Sequence, residues 1–137
     1  MTAECLLDAN VLIYAVSKAP AEIEKKKRAL GLISSEEFGL SAQVLQEFYV
    51  AVTRKLKQPI PHEDALKFMR ALAAFPLVSV DFELIVRGVA VSRRYQISYW
   101  DGAVIAAAEK LSAAIVYSED ISHGQRYGSV VVINPFL

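Results

Sequence analysis

Three short apolar runs, Cys5-Leu6-Leu7, Ala114-Ile115-Val116-Tyr117 and Val130-Val131-Val132-Ile133, each stop at a polar residue, Asp8, Ser118 and Asn134. Unbroken apolar runs of this length read as strands covered on both faces. Phe38-Gly39-Leu40 and Leu77-Val78-Ser79-Val80 have a similar character. The stretches between them carry apolar residues at helical spacing, and strands alternating with helices build a parallel α/β sheet. The expectation is a single α/β domain over residues 1–137, with a central parallel sheet of about five strands flanked by helices.

The helices are placed from their ends. Asn10, just before Val11-Leu12-Ile13-Tyr14-Ala15, reads as the N-cap of a first helix over about residues 11–16. A second spans roughly 21–35, with Ile23, Leu30 and Ile33 towards one side and Lys25-Lys26-Lys27-Arg28 mostly on the other. Ser41 caps a third, which runs from Ala42 to about Leu56. A fourth starts near His62, after Pro59 and Pro61, and Asp81 caps a fifth. Ser98-Tyr99-Trp100-Asp101-Gly102 leads into an alanine-rich helix to Leu111, with Trp100 expected in the core.

Charge and cysteine content narrow the class. The 15 basic and 15 acidic residues cancel, so no global basic footprint points to nucleic acid. The clusters Lys25 to Arg28, Arg54-Lys55 with Lys57, and Arg93-Arg94 read as solvated helix faces. A single cysteine forms no internal disulfide, and Cys5 lies in an apolar strand as a small buried hydrophobe. No apolar run reaches the roughly 18 residues of a membrane span. The opening Met1-Thr2-Ala3-Glu4-Cys5 lacks the pattern of an export signal, so a cytoplasmic protein is expected. A hydrophobic fraction of 54 % is enough for a proper core and leaves apolar surface for a partner.

Carboxylates then fall at matching ends of the elements. Asp8 follows the first strand, Asp120 comes three residues past Tyr117, and Asp101 opens a helix. All three belong at the edge where open α/β sheets hold ligands. Glu47 lies further inside its helix and reaches the same edge if its helix face points inward. Acids gathered there repel one another and resist desolvation, a conflict that a cation resolves. Oxygen donors without a His/Cys set suit Mg²⁺ or Mn²⁺. Asn10 and Ser118, each two residues from an acid, are placed to orient a carboxylate or a water. Each acid also has an ordinary reading, as turn residue, helix-start residue, loop acid or helix surface.

The set Leu7-Asp8-Ala9-Asn10-Val11-Leu12-Ile13-Tyr14, Glu47 in the helix after Ser41, Trp100-Asp101, and Ser118-Glu119-Asp120 resembles the PIN domain. Most closely the chain is similar to the VapC-type toxins of bacterial toxin–antitoxin pairs, in the right order over nearly its whole length. The resemblance implies a PIN-like fold, a Mg²⁺- or Mn²⁺-dependent ribonuclease that leaves 5′-phosphate and 3′-hydroxyl ends, and an antitoxin partner; a homodimer is the expected assembly. Carried over by position, the catalytic and metal-binding acids are Asp8, Glu47, Asp101 and Asp120, with Ser118 at the family's hydroxyl position and Glu119 as second-choice acid. Lys25 to Arg28, Arg93 and Arg94 are candidates to hold RNA, and Tyr99 and Trp100 flank Asp101 where bases could stack.

Two rivals stay open. A receiver-type phospho-acceptor module also places acids at strand ends. It calls for an acid pair after the first strand and a late lysine, whereas Asp8 has no acidic neighbour and the last strand ends Ile133-Asn134-Pro135. A catalytically inactive PIN-like scaffold would keep the fold and bind a partner without cutting.

Overall fold

The computed structural model describes all 137 residues, Met1–Leu137. Strand β1 (Cys5–Leu7) leads into helix α1 (Ala9–Ala15), and a short 3-10 turn precedes α2 (Ile23–Ser35). Next come β2 (Phe38–Ser41), α3 (Ala42–Val50), α4 (His62–Leu72), β3 (Leu77–Val78), α5 (Phe82–Tyr95) and α6 (Tyr99–Lys110). The chain closes with β4 (Ile115–Tyr117), β5 (Arg126–Tyr127) and β6 (Val130–Ile133). The sheet order is β3-β2-β1-β4-β6-β5. All pairings are parallel except β5 with β6.

The apolar runs are strands because both faces are covered. Cys5 and Leu7 join one core with α1 to α4, while Leu6 joins a second core with α5 and α6. Cys5 is buried as expected, and burial pushes its thiol up to about 12, so it is not a nucleophile at neutral pH. On the second face, α5 and α6 approach closely at two glycines. A Cβ at Gly102 would stand 2.6 Å from the Gly88 carbonyl oxygen, so only glycine fits.

Several local expectations change. Asp8, not Asn10, caps α1: its carboxylate accepts from Ala9 N–H at 2.8 Å, and Asn10 lies inside the first turn, buried. A shorter reach from Asp8 to the helix start wins the cap. In α2, Ala29 and Leu32 are buried in the core and Ile33 packs against it, while Ile23 and Leu30 are exposed, because the neighbouring elements cover only the Ala29–Leu32 face of the helix. The third helix is α-helical only to Val50 and continues as a wider π-helical turn, Ala51–Lys55. The sixth begins at Tyr99, with Ser98 as cap, and Trp100 is 62 % exposed instead of packed in the core. A sixth strand, β5, forms a hairpin with β6 across Gly128-Ser129, where Gly128 takes φ 62. Apolar surface does remain: Phe82, Ile85, Val86 and Val89 line the outside of α5.

Strand order reverses about β1, since β2 and β3 lie to one side and β4, β6 and β5 to the other. Such a reversal opens a crevice at the carboxyl ends of the two central strands. Here those ends are Leu7 and Tyr117, register partners followed by Asp8 and Ser118.

Candidate active site

The crevice is held shut at its floor by backbone bonds. Asp8 N–H donates to the Tyr117 carbonyl at 3.0 Å, and Ser118 N–H donates to the Ile133 carbonyl at 3.1 Å. This brings the residues after β1 and β4 side by side. Ser118, fully buried, donates its hydroxyl to Asp8 Oδ2 at 2.7 Å and accepts from Asp120 N–H at 3.1 Å.

Asn10 ties the two segments together. Its Nδ2 shares its hydrogens among Asp120 Oδ2 at 3.1 Å, Ser118 Oγ at 3.2 Å and Asp8 Oδ2 at 3.4 Å. Its Oδ1 accepts from Glu119 N–H at 3.1 Å. Being in the first turn of α1, one residue past the helix start, Asn10 points back over the crevice between the two acids.

A cleft of about 460 Å³ opens above this network, and Asp8, Asn10, Glu47, Lys55 and Asp120 contribute its polar lining. Glu47 enters because α3 starts directly from β2, so its exposed outer face overlooks the same sheet edge; Gln43 donates to Glu47 Oε1 at 2.9 Å. Asp101 lies in the first turn of α6, half-buried, and is not part of that cleft's lining.

Charge nonetheless couples all four acids. Burial pushes the Asp8 carboxyl up to about 6, against the lowering bonds from Ser118 and Ala9, and the charges of Glu47 and Asp120 raise it further. The Asp101 carboxyl is also raised, first by desolvation and then by Asp120, while Ser98 lowers it. Asp8 is therefore a buried acid among acids, a high-energy arrangement without a cation.

Glu119 points elsewhere. Its carboxylate accepts from Tyr14 OH at 2.6 Å and from Lys25 Nζ at 2.7 Å. Burial acts to raise this carboxyl, but the bonds from Lys25 and Tyr14 hold it below its ordinary range. Lys25, a candidate to hold RNA, is engaged here, and it also covers the Tyr14 ring at 4.8 Å. Arg28 is held by the Pro135 carbonyl, whereas Arg93 and Arg94 are exposed on the last turn of α5. His123 accepts from Asn134 N–H through Nδ1, and His62 pairs with Tyr49, so each has a structural partner. Lys55 lies in the acid cleft although its sequence context reads as solvated surface, because the third helix ends in the π-helical turn Ala51–Lys55, which no residue pattern there announces.

Donor chemistry decides whether Mg²⁺ or Mn²⁺ fits. No three or more acidic, His or Cys side chains close up into a ready cage. Mg²⁺ does not need one, since it keeps several waters and binds through one or two carboxylates together with substrate phosphates. An open cleft whose acids include a buried, charge-stressed Asp8 fits such a hydrated ion.

A family model described as PIN domain matches residues 5–127. Among solved structures, a toxin–antitoxin complex from Klebsiella pneumoniae is 16 % identical, with TM-score 0.71, covering 96 % of this chain and 97 % of that one. The Mycobacterium tuberculosis toxin VapC20, described as cleaving the sarcin–ricin loop, is 17 % identical with TM-score 0.68, covering 85 % and 89 %. Rickettsia felis VapBC2 bound to a promoter DNA fragment is 16 % identical with TM-score 0.64, covering 93 % and 96 %. At these identities the structures are similar in fold. No curated protein matches by sequence.

Proposed function

The chain belongs to the PIN-domain family, and from that membership and its acid crevice we propose that it is a Mg²⁺- or Mn²⁺-dependent endoribonuclease, the toxin of a VapBC-type toxin–antitoxin pair. The observation that carries the reading is the joining of Asp8, Asn10, Ser118 and Asp120 into one network beneath a cleft that Glu47 also lines. In this reading Asp8, Glu47, Asp101 and Asp120 would hold the ion, and Glu119 stays the second-choice acid. When bound, the ion lowers the pKa of water and offsets charge on the phosphate oxygens.

The chain's own groups supply orientation. Ser118 and Ala9 N–H each hold one oxygen of Asp8, fixing the direction of the remaining lone pairs. Asn10 sets the distance between Asp8 and Asp120 by bonding both. Burial of Asp8 keeps water from screening its charge, which strengthens its pull on a cation.

The toxin–antitoxin complexes among the similar structures support an antitoxin partner, and a homodimer and a cytoplasmic location belong to the same proposal. No helix is long and apolar enough to cross a membrane. Incubating the purified chain with RNA tests the function: cleavage in Mg²⁺ or Mn²⁺ that stops on chelation supports it, and RNA left intact in both ions contradicts it.

A further inference from the structure

Three cavities run side by side across the acid crevice. The central cleft shares Gln46 and Glu47 with a cavity of about 310 Å³ that also holds Trp100 and Gln43. On its other side it shares Lys55 with a cavity of about 560 Å³ that Lys18, Lys57 and Gln58 also line. One end of this track is therefore aromatic, the middle acidic and the other end cationic.

Both ends are built for a ligand more than for the fold. Trp100 is 62 % exposed, and Tyr99 meets it edge-on at 5.1 Å, which sets the plane of the indole while leaving it in solvent. Gln43 and Gln46 offer amides beside it. At the other end, Lys18, Lys55 and Lys57 are exposed, and the chain's ion pairs, Lys25–Glu119, Lys27–Glu24 and Arg87–Glu109, leave all three without a carboxylate partner. The one acid in that cavity, Glu22, accepts the Ser17 hydroxyl at 2.5 Å. The π-helical turn Ala51–Lys55 carries Lys55 to the junction of the two cavities, and such turns recur at functional sites.

We propose that a single strand of RNA lies along this track, with one base stacked on Trp100, the bond to be cut over the acids, and the phosphates on the far side held by Lys55, Lys57 and Lys18. A base inside a duplex has both faces covered by its stacked neighbours and offers none to an exposed indole, so the chemistry selects an unpaired strand. Lysine ammonium groups grip phosphates as point charges without reading sequence. The inference rests on the nuclease reading for what happens at the middle of the track.

The chain holds one tryptophan, so its fluorescence reports on Trp100 alone. The test titrates the Asp120→Asn chain with an oligouridine of roughly 8 nucleotides and with a duplex of the same length. The strand should quench saturably and the duplex only weakly. Replacing Lys55 and Lys57 together by alanine should weaken binding by about tenfold and flatten the salt slope by about 1.4, at ~0.7 per phosphate contact. Trp100→Leu, followed by anisotropy of a labelled strand, should bind about tenfold more weakly, and in the otherwise unaltered chain should raise KM more than it lowers kcat. No quenching by the strand, equal quenching by duplex, or a lysine variant that titrates like its parent would each overturn the track. Cleavage by the unaltered chain is measured in parallel. RNA that is cut without these binding effects contradicts the track alone, and quenching without cleavage contradicts the proposed function alone.

Discussion

Asn10 donates to Asp120 at 3.1 Å across 110 residues of sequence, joining the first turn of α1 to the loop after β4. The same amide reaches Asp8, so one neutral side chain sets how far apart two acids stand. Asn10→Ala should therefore lower RNA cleavage by about 10–100-fold, the range for groups that orient metal ligands, with the fold intact by circular dichroism. Unchanged kcat/KM in Asn10→Ala would show that the bridge has no part in activity.

The raised pKa of Asp8 makes a signed prediction for the metal-free chain. An acid whose folded pKa lies above its unfolded value of 3.8 costs no stability at low pH; the cost grows as pH rises and is complete above the folded value, about 6. Asp8→Asn removes a charge but also disturbs bonds to Ser118 and Asn10, so its absolute effect mixes both. The difference in Tm, variant minus parent, should become more positive between pH 4 and 7. A difference that stays flat with pH would contradict the assignment of Asp8 as the stressed group.

Mn²⁺ should then relieve that stress. At about 100 times its Kd a ligand of the folded state adds roughly 2.7 kcal/mol, a rise of several degrees in Tm for the unaltered chain. Asp8→Asn should lose most of this rise. Equal Mn²⁺ stabilisation of both chains would place the ion elsewhere.

Glu119 and Asp120 are neighbours in sequence with different partners, Tyr14 and Lys25 for the first, the Asn10 amide for the second. Glu119→Gln should leave cleavage within a few-fold, and should cost under about 1 kcal/mol because Lys25 is 42 % exposed. Asp120→Asn should lose far more activity at similar stability. The reverse ranking, read from kcat/KM of the two variants, would move the acid role to Glu119.

Much of this was legible from residue pattern, and the misses share a cause. Cys5-Leu6-Leu7 and Val130 to Ile133 read correctly as buried strands because both faces of a parallel strand need apolar residues. Ser41 and Asp81 read correctly as caps because their side chains bond locally, to Val44 N–H and Leu84 N–H. Trp100 and Ile23 are exposed against expectation because hydrophobicity alone does not say which face of a helix the tertiary packing covers. For Asn10 the cap fails and the orienting position is legible, two residues from Asp8, but its bonds to Ser118 and Asp120 are not, because those residues are remote in sequence and adjacent only through the pairing of β1 with β4. Arg126-Tyr127 is too short to show a strand pattern, although Gly128-Ser129 carries a turn signal.

The most direct test compares RNA cleavage by the unaltered chain and by Asp101→Asn in saturating Mn²⁺, with folding of both verified by circular dichroism. Asp101 is half-buried at the start of α6 and outside the lining of the main cleft, so of the four acids it is the one that the cleft does not gather with the Asp8–Asn10–Asp120 network. The unaltered chain should cleave, and the variant should lose more than about 100-fold, beyond what supporting groups typically cost. Equal rates in the two chains would contradict the four-acid site.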